Sequence, residues 1–303
     1  MDIRQLEVFY HVARLKSFSK AGRVVGLTQP SVSGSVSSLE QALGLKLFDR
    51  MGREVRLTQP GEVLFPYAQK ILALRRDAVQ QLESLGRLEQ GSLMIGASSI
   101  PGEYLLPRLI QGFSARYPGI FCTLRVSDSR RVIQALLDHE VEIGVVGTRH
   151  GPPEIQFEPL VEDRMVVCCA GNHPWAGRDA VSPEDLLTQP FLMREEGSGT
   201  RREIEMQLSS AGIDVKGLRV VAEMGSTEAI KQAIKAGYGI SILSEISVRD
   251  LEATGTLRSL HIQGIPLVRH FFVAELKARI PSPAQRQFKQ EMLTNKECIN
   301  ASC

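Results

Sequence analysis

The apolar pattern of this 303-residue chain changes period near residue 91, and that break limits the fold more than any figure of composition. Before it, apolar residues recur every three or four positions, as in helices with one buried face. Beyond it, short apolar runs such as LMIGASS at 93–99, VEIGVVGT at 141–148 and GISILS at 239–244 alternate with helical patterns, as in a parallel-sheet α/β domain. The length suits roughly two domains. The chain therefore reads as a helical N-terminal part joined to an α/β body.

Charge follows the same division. The net charge is +2, yet residues 1–58 hold nine Lys and Arg against five Asp and Glu, so the body is mildly acidic. An anionic partner is expected for the first part only. No apolar run reaches the ~18 residues needed to cross a bilayer, and the start lacks the pattern of a secretory signal. We expect a cytoplasmic protein with no membrane partner. The cysteines (Cys122, Cys168, Cys169, Cys298, Cys303) are odd in number and show no C-x-x-C pair, which favours reduced thiols over disulfides or a zinc site. The six histidines are scattered, and G-x-S-x-G and H-E-x-x-H are both missing, so neither an enzyme nor a cofactor or metal is expected.

Three short helices are predicted in the first ~45 residues from caps and apolar spacing. Leu6, Phe9 and Ala13 share a face of the first. Ser17 caps the second, which buries Phe18, Ala21, Val24 and Val25 and exits at Gly26. Thr28 caps the third, whose inward side is Val32, Val36, Leu39 and Leu43. Its other face carries Pro30, Ser33, Gly34 and Ser37, flanked by Gln29 and, in the first turn, Ser31. Two helices joined by a short turn fit the helix-turn-helix unit, whose second helix enters the major groove. A face of small residues can sit deep there and bond base edges without charge. LFDRMGREVRLTQPG at 47–61 reads as a β-ribbon wing with Arg50, Arg53 and Arg56 around a turn at Gly52, suited to phosphate contacts. On these patterns alone a three-helix adaptor with a solvated hairpin stays open.

The density of matching positions narrows the choice. Phe9, Val12, Ser17, Phe18, Ala21, Leu27, Thr28, Gln29, Pro30, Val32, Ser33, Leu39, Glu40, Leu43, Gly44, Leu47, Phe48, Arg50, Leu57, Thr58 and Gly61 resemble the LysR-type transcriptional regulators. Departures are Gly22, where that family usually has Ala, and Gly34 with Ser35, where longer side chains are common. The resemblance implies a mixed fold: an α-helical winged helix-turn-helix domain (1–60), a long linker helix and hinge (61–91), and a two-lobed α/β effector domain like a periplasmic binding protein (92–303). Lobe 1 is placed at about 92–160 plus 267–303, and lobe 2 at about 161–266. It also implies a double-stranded DNA operator, a small-molecule effector, a homodimer or tetramer, and RNA polymerase as a further candidate partner.

The linker, from Gly61 to about Leu88, carries apolar or small residues at 64, 68, 71, 78, 82 and 85, the spacing of a coiled-coil seam. Packing against its own body is the alternative. In the body, ligands of open α/β sheets sit at the carboxyl ends of strands, near helix N-termini. Four such segments carry hydroxyls: Ser98 and Ser99; Ser127 to Ser129; GSGTRR at 197–202, with Ser198, Gly199, Thr200 and Arg201; and Ser226 with Thr227. The third suits a carboxylate or oxyanion. Each hydroxyl alone reads equally as an ordinary helix cap. The resemblance adds Gly147 and Thr148 near the lobe crossover, and it likens GSGTR to branches that sense small acids or oxyanions and the body to sulfur- and selenium-associated branches. A transport-type solute-binding protein is the rival reading, in which the basic N-terminal part has no role.

Overall fold

Each of the first three helices starts at a side-chain cap. Asp2, Ser17 and Thr28 accept from the backbone N–H groups of Gln5, Lys20 and Ser31, opening α1 (Ile3–Leu15), α2 (Phe18–Val25) and α3 (Gln29–Leu43). This is a computed structural model that describes residues 1–49, 55–83 and 91–294, and the chain divides into two units, Met1–Leu85 and Gly86–Cys303. Leu6, Phe9, Val12, Ala21, Val32, Val36 and Leu39 meet in one core. Val24 and Leu43, expected inside, are exposed. In the eight-residue α2 the inward position falls to Val25, and Leu43 lies in the last turn of α3, which Gly44 ends at φ 68° with Leu45 N–H donating to the Glu40 carbonyl. Gly22 has a steric reason: a Cβ there would lie 2.6 Å from the Leu27 carbonyl oxygen.

The expected wing begins and ends as an antiparallel pair, β1 (Phe48–Asp49) with β2 (Arg56–Leu57). Its tip, with Arg50 and Arg53, lies outside the described residues. The linker α4 (Gln59–Glu83) starts two residues before Gly61. A repeated tetrapeptide sets that start: Leu-Thr-Gln-Pro occurs at 27–30 and 57–60, and Thr58 Oγ1 accepts from Gly61 N–H as Thr28 does from Ser31. The expected seam divides. Leu64, Phe65 and Ala68 pack into the domain's own core, with Phe65 stacked on Tyr10, whereas Val63, Tyr67, Ile71, Leu74, Ala78 and Leu82 face outward. Ile71, Ala78 and Leu82 are free as expected; inward packing takes the first two expected positions, 64 and 68, and Val63 and Tyr67 stand in their place on the outward stripe.

In the second unit, β3 (Gly91–Ser98) runs into a π-helical turn (Pro101–Leu105), then α5 (Leu106–Arg116), β4 (Ile120–Ser127), α6 (Ser129–Leu137), β5 (Ile143–Val146) and β6 (Ile155–Ala170). There follow β7 (Ala180–Val181), α7 (Pro183–Thr188), β8 (Phe191–Arg194), α8 (Gly199–Ser210), β9 (Val220–Met224), α9 (Thr227–Lys235), β10 (Ser241–Ser244), α10 (Arg249–Ala253), β11 (Leu257–Ile262), β12 (Val268–Leu276) and α11 (Pro283–Thr294). The first lobe has strand order β4-β3-β5-β12-β6, parallel from β4 to β5 and antiparallel at β12. In β6, residues 155–164 pair with β12 and residues 165–170 with β10 and β11, so one strand passes from the first lobe into the second. Both faces of each sheet are covered. Phe113 and Phe288 lie on one side of the first lobe and Val132 and Leu136 on the other; in the second, Ile204 and Leu208 oppose Ile230 and Ile234. No helix among the described residues is long and apolar enough to cross a membrane.

Two glycines separate contact from propensity. A Cβ on Gly61 would lie 2.2 Å from the Leu47 carbonyl oxygen, whereas one on Gly34 meets nothing within 4 Å. Gly61→Ala should destabilise the protein by about 2 kcal/mol or more, and Gly34→Ala should be neutral or stabilise by up to ~1 kcal/mol. Calorimetric unfolding of the two variants checks this, and equal shifts would refute the close approach of β1 to α4.

Candidate functional site

Two surfaces carry chemistry. On α3, Gln29, Pro30 and Gly34 are exposed and Ser33 and Ser37 half-exposed; the side chains of Gln29, Ser33 and Ser37 form no hydrogen bond among the described residues. Thr28 and Ser31 are engaged with each other, their hydroxyls 2.9 Å apart, so their role in this structure is the cap. The wing is tied to α3 by Glu40, which is 3% exposed and accepts from Lys46 Nζ (2.6 Å), Leu47 N–H (2.9 Å) and Phe48 N–H (3.4 Å). Burial pushes the Glu40 carboxyl up, but these three donors outweigh it and hold it below its ordinary value.

The second surface lies between the lobes of the C-terminal unit, where the carboxyl ends of β3, β5 and β8 meet the first residues of antiparallel β12. Ser98, Ser99, Ser129, Ser198, Gly199 and Thr200 share one small enclosed pocket with Asp128, Gly147, Arg194, Arg269 and Phe271. Two helices start there. Asp128 caps α6 and Ser198 caps α8, each taking one N–H; the remaining first-turn N–H groups, of Ser129, Arg130, Gly199 and Thr200, have no partner among the described residues. The helices approach closely because residue 199 lacks a side chain: a Cβ would lie 2.8 Å from Ser129 Oγ and 3.2 Å from the Gly147 carbonyl oxygen.

Two buried arginines frame the pocket. Arg194 is 2% exposed; its Nε and Nη2 donate to the Glu195 carboxylate (2.7 and 2.9 Å), Nη1 to Thr227 Oγ1 (2.9 Å) and Nη2 also to Ser99 Oγ across the cleft (3.3 Å). Arg269, 3% exposed, donates from Nε to Asp163 (2.8 Å) and from Nη1 to Thr200 Oγ1 (2.8 Å), and lies 4.9 Å over the Phe271 ring. Its Nη2 is buried without a partner, as is Ser129 Oγ.

Of the hydroxyls singled out from sequence, Ser98, Ser99, Ser129, Ser198 and Thr200 are brought together. Thr148 stands in the adjoining outer basin, with its Oγ1 accepting from His150 N–H. Ser127, Ser226 and Thr227 are outside the enclosed lining: Ser127 donates to the Asp128 carbonyl, Ser226 caps α9, and Thr227 reaches the pocket only through Arg194. Arg201 turns to Glu205 (2.9 Å), Glu223 (2.6 Å) and the Arg194 carbonyl oxygen, so its charge is already met. Sequence reasoning missed Arg194 and Arg269. The signal for the first was a charge closing the apolar run FLM; Arg269 has none, since it opens an antiparallel strand and was sought at strand ends.

Cys168 and Cys169 are buried, and desolvation pushes both thiols up, Cys169 to about 11, so neither is a nucleophile. Among the described residues no cluster of His, Cys, Asp or Glu could hold a metal ion.

A winged helix-turn-helix unit followed by a two-lobed α/β domain with a polar cleft defines a ligand-responsive DNA-binding regulator. Residues 3–62 match the bacterial regulatory helix-turn-helix proteins of the lysR family and residues 86–296 the LysR substrate binding domain. The chain belongs to the LysR family of transcriptional regulators. It is 37% identical to the uncharacterized HTH-type transcriptional regulator YeiE of Escherichia coli K12 over 95% of this chain and 96% of that protein. Among solved structures, full-length CbnR complexed with its target DNA aligns with TM-score 0.73 at 19% identity over 98% of this chain and 100% of that one. The CcmR regulatory domain of Synechocystis PCC6803 in complex with 2-PG aligns with TM-score 0.62 at 31% identity, covering 69% of this chain and 98% of that one.

Glu40 gives a pH test. Because its folded-state pKa is depressed, its stabilisation is complete above the ordinary carboxylate range and is lost as pH falls through the depressed value. Glu40→Gln should cost roughly 1–2 kcal/mol at pH 7, and the gap between wild type and variant should close in acid. A gap that stays constant in chemical denaturation as pH is lowered from neutral through and below the carboxylate range would show that the charge is not what ties the wing.

Proposed function

We propose that this regulator binds an operator in double-stranded DNA as a homodimer or a tetramer of paired dimers, under control of a small anionic effector held between the lobes. The observation that carries the effector class is the pair of buried donors without partners, Ser129 Oγ and Arg269 Nη2, at the meeting of two helix N-termini. An unmet buried donor costs about 1–3 kcal/mol, which a carboxylate or oxyanion would recover. The carboxylates already present limit the net charge: Glu195 faces Arg194, Asp163 faces Arg269, and Asp128 lies in the lining. Selection therefore rests on oriented donors more than on bulk attraction. The complex of the CcmR regulatory domain with 2-PG supports a small-molecule effector for this unit.

On the DNA side, Gln29, Pro30, Ser33, Gly34 and Ser37 enter the major groove, with Thr28 and Ser31 fixing the start of the helix, and Arg50 and Arg53 hold phosphates from the wing. The DNA complex of CbnR supports this use of the N-terminal unit. The outward stripe of α4, Val63, Tyr67, Ile71, Leu74, Ala78 and Leu82, pairs with the same stripe of a second copy. Effector binding shifts the population of lobe arrangements and with it the spacing of the two reading helices. Contact with RNA polymerase is a separate route for the signal.

Selection of bound duplexes from a random library checks the reading helix. Gln29→Ala or Ser33→Ala should change the preference at individual base pairs by ~1 kcal/mol or more; an unchanged motif would reassign both to packing. For the effector, a panel of sulfate, phosphate and small carboxylates is titrated with and without the selected duplex. Any probe that alters DNA affinity by some factor must have its own affinity altered by that factor, and Ser129→Ala with Thr200→Val should remove the effect while leaving DNA binding intact. Probe binding that is indifferent to both substitutions would place the site elsewhere.

A further inference from the structure

We infer that the effector is elongated and dianionic, with one negatively charged group at the mouth of the inner pocket, one of its oxygens inside, and a second at the rim of the adjoining basin; the inference rests on the anion reading above. The inner pocket is small, about 10 Å³, room for one oxygen atom of an anionic group, so the rest of that group stands at its mouth. The adjoining basin is about 630 Å³ and shares Ser129, Ser198 and Gly199 with it, so a ligand entering the inner site has its remainder in the basin.

The basin has two chemistries. Ile133 and Leu137 of α6, one turn apart, and Pro152 give it an apolar wall suited to a short carbon spacer. Two exposed guanidinium groups, those of Arg130 on one lobe and Arg202 on the other, also line it, and among the described residues neither makes a hydrogen bond or ion pair. Arg201 and Glu205, also in the lining, are committed to each other. Glu196 is exposed and faces the same space, so the uncommitted groups of the basin, two arginines and one carboxylate, leave an excess of one positive charge. A ligand with a neutral tail gains nothing from them. A second carboxylate or phosphate seated between Arg130 and Arg202 would bridge the lobes and favour their closure.

Calorimetric titration of the full-length protein with matched probes tests this: butyrate against succinate, with the same carbon count and one or two carboxylates, and glycolate against phosphoglycolate. Each probe with two anionic groups should bind roughly fivefold tighter than its partner with one, the modest gain expected of exposed charges, and the advantage should shrink in 0.5 M salt. Arg130→Gln with Arg202→Gln should bring the ratio to near one. Equal affinities within both pairs, or a ratio unchanged in the double variant, overturn the inference while leaving the inner site standing. If instead binding of every probe is indifferent to Ser129→Ala with Thr200→Val, or no probe binds, the anion reading itself fails and this one with it.

Discussion

The pair of Asp163 and Arg269 is the point on which the C-terminal unit turns. The two residues face each other across β6 and β12, two positions before the first residue of β6 that pairs with β10. Each is nearly excluded from solvent, and each reaches beyond its own strand: Ser244 of β10 donates to Asp163 (2.6 Å) and Arg269 donates to Thr200 of α8. One ion pair therefore reaches both lobes. A buried pair of this kind is weak evidence for stability, because its desolvation costs about as much as the attraction returns. Its value lies in fixing where the arginine sits, which leaves Nη2 of this pocket-lining residue buried with no partner.

The same economy explains what the sequence discloses and what it hides. Caps and apolar spacing are local, so the helices starting after Ser17 and Thr28 were legible, and the second Leu-Thr-Gln-Pro would have placed the start of α4 had the repeat been weighed. The hydroxyls at strand ends were legible because Ser and Thr stand before helices in the sequence as they do in space. Arg269 was not, since its position depends on β12 running antiparallel to β5, a fact of topology that neighbouring residues do not encode. Arg201 misled for the opposite reason. It stands in the GSGTRR motif, yet Glu205 one turn on and Glu223 on β9 draw its guanidinium aside. The α4 seam was legible at Ile71, Ala78 and Leu82 but not at Leu64 and Ala68: burial against its own core and burial against a partner give the same period, and only packing distinguishes them.

A regulator needs two arrangements of similar free energy, and the cleft shows how they are kept close. Contacts between the lobes are largely polar: Arg194 with Ser99, Arg269 with Thr200, Ser244 with Asp163, Gln207 with the Val268 backbone and Lys231 Nζ with Tyr104 hydroxyl at 3.0 Å, beside the approach of Gly199 to Ser129 and Gly147 and the packing of Ile246 on the first lobe's core. Polar contacts at a cleft exchange readily for water, so opening costs much less than the separation of an apolar interface would. In the proposed complex the two helix N-termini and the unpaired donors, which oppose one another across the cleft, would become the ligands of an anion and so favour closure around it. The free energy a ligand can transmit to the rest of the protein is bounded by the difference it makes between arrangements and not by its total affinity, which in that proposal makes these donors the source of the signal.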